Sequence, residues 1–237
     1  MVFAHIVKSS KAKHSSIVTS LVNKYLADNR ITSESVKILE VGAGNCWLIH
    51  SLPLDGVKIG IDLHDHNHSK NNIYKDFISD NKSHFIYGDA TNLPFNDESF
   101  DLVFSNEFVS HVRNINKTIL EQLRILKPNG LIIIMDSDFF NPFSFFLCFF
   151  VNYFTSRKSS LKRGGIKWLL HREDPFFELA PIKDGMRNVC WCDENIHGKS
   201  WWIKHLKIYT KKANFNVSHF WSYFPISFKL IIVGRKI

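Results

Sequence analysis

The chain has 237 residues, enough for one α/β domain with an elaboration, and a formal net charge of +8. This positive balance suits nucleic acid, an anionic membrane surface or an acidic substrate. The lysines are scattered, however, and no long basic block selects one of these partners. The 4 cysteines are too few and too dispersed for a disulfide framework. Cys190-Trp191-Cys192 lacks the spacing and the partner pair of a zinc site, so we expect no metal. The apolar run at the start is too short for a secretory signal, and a reducing cytoplasm is the expected location.

The first predicted element is a helix over residues 14–29. Its apolar residues recur at helical spacing: Ile17, Val18, Leu21, Val22, Tyr25 and Leu26. Such an amphipathic helix could pack against a sheet or cover a ligand cleft, and the sequence leaves both roles open.

A glycine turn follows the first predicted strand, residues 36–41, and leads into a helix. Gly42 and Gly44 permit a tight turn and a close approach of a ligand to the main chain. Strand, glycine turn and helix open many nucleotide-binding α/β domains. The next predicted strand, residues 58–62, ends in Asp62. This acid follows Gly42 by about 20 residues, near the spacing at which an acid meets ribose hydroxyls.

Residues 64–70 alternate histidines with other polar side chains, which raises the question of a metal site. Alternating histidines share one side only in a strand. We therefore predict a solvated loop here.

Three further strands are predicted in order. Residues 85–90 read as a short strand that ends in Gly88-Asp89-Ala90, and residues 99–106 as the next strand. A helix over residues 115–126 ends at Lys127-Pro128-Asn129-Gly130, and residues 131–135 form an apolar fifth strand. Polar side chains lie just beyond the fourth strand, at the edge where open α/β sheets bind ligands: Asn106, Glu107 and His111.

In this order the motifs resemble the class I S-adenosylmethionine-dependent methyltransferases, and within them the methyltransferase type 11 group. Glu40, Gly42 and Gly44 match the first family motif, and Cys46 replaces its third glycine. The Gly-Asp-Ala end of the third strand and the Leu-Lys-Pro-x-Gly sequence before the fifth are further hallmarks. The resemblance covers residues 36–136.

The resemblance implies an α/β fold with a Rossmann-like, seven-stranded, mostly parallel sheet whose last strand is antiparallel. A substrate or lid region would be inserted after strand five. We expect one domain over residues 1–237: an N-terminal helical cover (1–35), a cofactor-binding core (36–136), the insertion (137–200), and a closing helix and strand hairpin (201–237). The closing elements are predicted at residues 200–214, 215–223 and 228–233.

The resemblance also implies the cofactor, S-adenosylmethionine, and the residues that bind it: Glu40, Gly42, Ala43, Gly44, Asp62, Leu63, Asp89, Ala90 and Asn106. By match, Asp62 meets the ribose, Asp89 accepts from the adenine amine and the Ala90 amide meets a ring nitrogen. A carboxylate suits an amine because it only accepts hydrogen bonds. Cys46 is predicted at a helix start, where the thiol pKa is lowered.

Methyl transfer is an in-line displacement, so most of the protein's contribution is to hold donor and nucleophile in contact. A general base is needed only for a hydroxyl or a protonated amine. His111 is the candidate base, with a structural hydrogen bond as the alternative role. His171, Glu107 and Asp136 are weaker candidates.

The expected acceptor is a small or lipid-linked molecule. Two alternatives remain, an RNA-directed methyltransferase and an inactive cofactor-binding or scaffold protein. The net charge motivates the first, but no RNA-binding module is evident, and Ser105-Asn106-Glu107-Phe108 follows strand four in place of an Asn-Pro-Pro-Tyr-type motif. Cys46 motivates the second, which the retained Glu40, Gly42, Gly44, Asp62 and Asp89 oppose.

Residues 139–156 are rich in phenylalanine and carry no charged side chain. The run is shorter than the roughly 20 residues of a spanning helix. It either walls an acceptor pocket, which we favour, or touches a bilayer with the help of basic residues at 157–163. Peripheral membrane contact through residues 139–163 is therefore the alternative to a purely cytoplasmic protein. The sequence gives no indication of the oligomeric state.

Overall fold

The computed structural model describes residues 2–64, 68–112, 114–137, 199–223 and 227–237. Nearly all of the predicted insertion, including the phenylalanine-rich stretch and His171, lies outside these residues. No helix in the described ranges is long and apolar enough to cross a membrane.

One sheet forms the centre of the molecule. Its strands are β1 (Lys37–Val41), β2 (Val57–Asp62), β3 (Ser83–Tyr87), β4 (Phe100–Asn106), β5 (Leu126–Ser137), β6 (Ala213–Tyr223) and β7 (Ser227–Lys236). The spatial order is β3-β2-β1-β4-β5-β7-β6. Strands β1 to β5 pair in parallel, whereas β7 is antiparallel to both β5 and β6. This confirms the predicted seven-stranded Rossmann-like sheet with an antiparallel last strand.

Helices cover both faces of the sheet. They are α1 (Val2–Asn29), α2 (Trp47–Ser51), α3 (Asn72–Ser79), α4 (Ile115–Ile125) and α5 (Lys199–Leu206). Because side chains alternate along a strand, one set packs under α1, α2 and α3 and the other under α4 and α5. Val22 on α1 and Ile119 on α4 are fully buried examples of the two layers.

Two helix boundaries differ from the prediction. Helix α1 begins well before residue 14, because Lys11-Ala12-Lys13 are good helix formers although they add no apolar stripe. Helix α5 ends at Leu206 instead of residue 214. A short 3-10 turn, Lys207–Tyr209, follows it, because the chain must turn into β6 at Ala213.

The fifth strand also begins earlier than predicted. Leu126 pairs with Phe100 and Leu131 with Leu102, so the Lys-Pro-Asn-Gly segment bulges out within β5, with Asn129 at φ 60°. The buried Asp101 carboxylate accepts from the Lys37 amide (2.9 Å) and from Lys127 Nζ (2.7 Å). These hallmark residues therefore tie β1, β4 and β5 together at the edge opposite the glycine turn.

Candidate active site

The glycine turn follows β1 and is hydrogen-bonded to the end of β2. The amides of Gly42 and Ala43 both donate to the Ile61 carbonyl, at 2.9 and 3.1 Å. Gly42 and Gly44 have φ values of 74° and 53°, which glycine adopts without strain. A β-carbon at Gly42 would lie 2.1 Å from the Phe108 ring, so the turn also packs against the segment after β4.

Gly44 presents an open side. Apart from Gly44 and its two chain neighbours, no atom in the described part of the chain lies within 4 Å of the point where its β-carbon would stand. The Gly44 amide donates to Asp62 Oδ2 at 2.9 Å, which directs this acid toward the turn. The turn therefore offers a close approach to its main chain, as the adenosyl and methionyl parts of S-adenosylmethionine would require.

Two carboxylates and two exposed hydrophobic residues lie at the same edge of the sheet as this opening. Asp62 ends β2, and the exposed Asp89 lies just beyond β3. The Gly88 amide donates to the Asp62 carbonyl at 3.0 Å, so the two segments are held together. Leu63 is 60% exposed and Tyr87 57%, although both are large and apolar. Acceptors beside exposed apolar surface fit a ribose and an adenine ring, and these residues fit the cofactor.

The other predicted cofactor residues are more enclosed. Ala43 and Ala90 are buried, and Glu40 lies beneath α2, where Oε2 accepts from the Ile49 amide at 3.1 Å. Burial raises the pKa of the Glu40 carboxyl well above its usual range, and the Asp62 charge adds to the rise. The Ile49 hydrogen bond opposes this shift. Glu40 thus holds the start of α2 from a buried position at the end of β1.

Cys46 is at the start of α2, as predicted, with φ 62° in the left-handed region. The expected lowering of the Cys46 thiol pKa is wrong, because the side chain is fully buried. Burial raises the pKa of the Cys46 thiol, and the Glu40 and Asp62 charges raise it further. These effects on the thiol pKa outweigh the opposite effect of the N-terminus of α2, a helix of only 5 residues. Gly60 on β2 leaves space for this thiol, because a β-carbon at Gly60 would lie 2.8 Å from the Cys46 Sγ.

The predicted solvated loop is wrong at His68, which is 3% exposed and contacts the Gly44 carbonyl through Nε2 at 2.7 Å. Residues 65–67 lie outside the described ranges. The sequence analysis missed His68, because nothing in the alternating pattern distinguishes it from its neighbours. The aromatic residues Tyr74, Phe85 and Tyr87 that enclose it were the only available signal.

A second polar group lies on the α1 side of the sheet, beyond the ends of β4 and β5. Glu107, at φ 52°, forms an ion pair with Lys229 of β7 at 2.6 Å. The His14 ring of α1 is 4% exposed and packs edge-on against Phe220 at 5.5 Å. Burial lowers the pKa of His14 to about 4, with Glu107 opposing the shift and Lys229 adding to it. Asn106, at the end of β4, lies near this ring.

His111 is exposed at the end of a short 3-10 helix, Val109–His111. Asp136 holds this helix, because its carboxylate accepts from the Ser110 amide at 2.8 Å and from the Ser110 hydroxyl at 2.9 Å. Asp136 is therefore engaged in anchoring the segment that carries His111. His171 lies outside the described residues.

Part of the chain matches a known protein family. A family model described as a methyltransferase domain matches residues 39–134, which contain the glycine turn and both acids. Within these residues the chain has the features of a class I S-adenosylmethionine-dependent methyltransferase domain. The cofactor of this class is S-adenosylmethionine, in agreement with the prediction.

Several methyltransferases resemble parts of the chain. A sterol 24-C-methyltransferase from Gibberella zeae is 32% identical over 45% of this chain and 29% of its own length. A ubiquinone/menaquinone biosynthesis C-methyltransferase from Vibrio vulnificus is 27% identical over 46% of this chain and 44% of its own. A solved S-adenosylmethionine-dependent methyltransferase from Aquifex aeolicus has the same fold, with a TM-score of 0.53 at 10% identity over 92% of this chain and 88% of its own. The chain thus spans less than half the length of the curated relatives it matches.

Proposed function

We propose that the protein transfers a methyl group from S-adenosylmethionine to a small-molecule or lipid-linked acceptor. The observation that carries this proposal is the hydrogen bond between Gly44 and Asp62 on the open side of the turn. Asp89 follows the parallel strand β3 at the same edge of the sheet. When bound, the cofactor supplies an electrophilic methyl group on a sulfonium. The chain's own task is to bind it and to orient the acceptor.

In this proposal Asp62 accepts from the ribose hydroxyls and Asp89 from the adenine amine. The Ala90 amide meets a ring nitrogen, and the exposed Leu63 side chain covers the adenine ring. Gly42, Ala43 and Gly44 supply the main chain, Glu40 holds the start of α2, and Asn106 borders the methionyl end. Carboxylates fit these positions because hydroxyls and amines can donate to them.

The geometry of Cys46 favours an active domain over an inactive one. Cys46 takes the left-handed conformation that glycine would take, and Gly60 leaves space for its thiol. The turn therefore keeps its shape although the third motif glycine is missing. This supports a retained cofactor site over the inactive alternative that Cys46 suggested.

The acceptor is proposed to approach from the α1 side, near Asn106, Glu107 and Lys229. Two observations support this: a partly buried ion pair, and a glutamate held at positive φ at a strand end. The relatives named for a sterol and for quinones support an apolar acceptor. For an acceptor that must lose a proton, His111 is the proposed base, since its helix is anchored by Asp136.

Titration calorimetry with S-adenosylhomocysteine tests the cofactor site. Replacing Asp62 by alanine should weaken binding at least about tenfold, because losing a charged acceptor costs roughly 1.5–3 kcal/mol. Asp76→Ala, an exposed position on α3, is the matched control and should bind as the wild type does.

A second substitution separates the ribose contact from support of the turn. Asp62→Asn keeps an oxygen that can accept from the Gly44 amide, but it loses the charge and one acceptor. We expect Asp62→Asn to bind weakly as well. Wild-type affinity of this variant would assign Asp62 to the turn alone, and wild-type affinity of Asp62→Ala would remove Asp62 from the site.

A further inference from the structure

His68 makes a hydrogen bond whose direction is fixed by chemistry. Its Nε2 lies 2.7 Å from the Gly44 carbonyl oxygen, and a carbonyl can only accept. Nε2 therefore carries the proton. In the neutral ring Nδ1 is then an acceptor, and it lies 3.3 Å from the Tyr87 hydroxyl, which can donate to it.

The imidazole is enclosed by aromatic rings. It stacks on Tyr74 of α3 with a centroid distance of 3.8 Å and an interplanar angle of 6°. The Phe85 ring of β3 meets it edge-on at 4.5 Å. These contacts leave His68 3% exposed and restrict the orientation of its ring.

Gly44 is consequently held on both sides of its α-carbon. Its amide donates to Asp62 Oδ2 at 2.9 Å, and its carbonyl accepts from His68. A glycine has no side chain to limit its backbone angles, so these two contacts select the φ of 53°. Asp62 and His68 both belong to the segment that begins at the end of β2.

We propose that His68 is a positioning residue for the cofactor, which it serves by fixing the Gly44 peptide group at the open side of the turn. This inference rests on the proposed function, because it assigns His68 to the same cofactor site. A turn already held in its binding conformation loses less conformational freedom on binding. Freeing the Gly44 carbonyl therefore weakens the cofactor complex although His68 does not touch the cofactor.

Two substitutions divide the roles of the ring. His68→Phe keeps an aromatic ring for Tyr74 and Phe85 but removes the donor. His68→Gln loses the stacking but places an amide N–H where Nε2 stands. In calorimetry with S-adenosylhomocysteine we expect about tenfold weaker binding for His68→Phe and less than about threefold for His68→Gln. Phe and Gln substitutions at His84, exposed on β3, are the controls.

The melting temperature is measured alongside, because a purely structural role would lower it without changing affinity. Wild-type affinity of His68→Phe, or equal loss of affinity in both variants, would overturn the inference alone. A wild-type protein that does not bind S-adenosylhomocysteine would overturn the proposed function and this inference with it.

Nitrogen NMR of the unmodified protein gives a test that needs no variant to fold. The expected result is a proton on Nε2 of His68. A proton on Nδ1 alone would contradict the hydrogen bond to Gly44 and overturn the inference.

Discussion

At the scale of residues, Cys46 after β1 and Gly60 on β2 pack directly against each other. A small residue is needed where α2 packs closely on the sheet, and here it stands on β2 as Gly60, with the larger Cys46 on the turn. A left-handed conformation costs a residue with a side chain roughly 1–2 kcal/mol. The buried thiol returns part of that cost through packing. Cys46 and Gly60 therefore form one packing unit.

Coupling between Cys46 and Gly60 can be measured in a double-mutant cycle. Gly60→Ala should destabilise the protein by about 1–3 kcal/mol, because the new methyl group would overlap the thiol. In a Cys46→Gly background the same change should cost about 1 kcal/mol less. Urea unfolding gives the free energies.

Gly88→Ala is the control for this cycle. Its neighbours are Ile61 and Pro94, so its cost should be the same in both backgrounds. An unchanged cost of Gly60→Ala after removal of the thiol would show that the two positions do not share a packing site.

At the scale of elements, α1 is docked through a polar residue as well as an apolar stripe. Val18, Val22 and Tyr25 bury its C-terminal half against the sheet. Closer to the N-terminus of the helix, His14 is buried near Trp47, Phe220 and the end of β4. Docking of α1 therefore requires a neutral imidazole, since an unpaired buried charge is costly.

The stability of α1 docking should depend on pH with a definite sign. The pKa of His14 is lowered to about 4, whereas an unfolded histidine titrates near 6.5. Between these values the unfolded chain binds more protons, so stability is fully present above about pH 6.5 and is lost as the pH falls toward 4. The difference corresponds to about 3 kcal/mol.

Unfolding of the wild type and of His14→Gln over pH 4.5–7 checks this. The stability curve of the variant should be flatter than that of the wild type. Parallel curves would show that His14 is not responsible for acid sensitivity.

Helices and strands were predicted well from the sequence where local signals, such as apolar periodicity and the spacing of glycines, determine them. The strand ends that carry Gly42, Asp62 and Asp89 were placed within a few residues, because each combines an apolar run with a turn residue. Tertiary contacts decided the rest. The space for the Cys46 thiol depends on Gly60. The burial of His68 depends on aromatic rings from α3 and β3. The bulge before Leu131 is held by the ion pair between Asp101 and Lys127.

In the whole molecule, the edge of the sheet at the carboxyl ends of the parallel strands differs in character from the opposite edge. The edge with the glycine turn carries acidic residues, exposed hydrophobic side chains and a stretch of main chain that a ligand can approach. The opposite edge is held by ion pairs, among them Arg124 with Asp97 and Glu121. A groove there is bordered by acidic and basic side chains, among them Glu121, Lys211 and Lys212.

Hydrogen exchange with and without S-adenosylhomocysteine tests most directly whether the cofactor binds at the glycine-turn edge. We predict slower exchange of backbone amides at residues 42–49, 62–64 and 87–92 when the ligand is present, with no change at residues 207–213. Unchanged exchange at the turn, or protection confined to the segment that carries Lys211 and Lys212, would contradict the account.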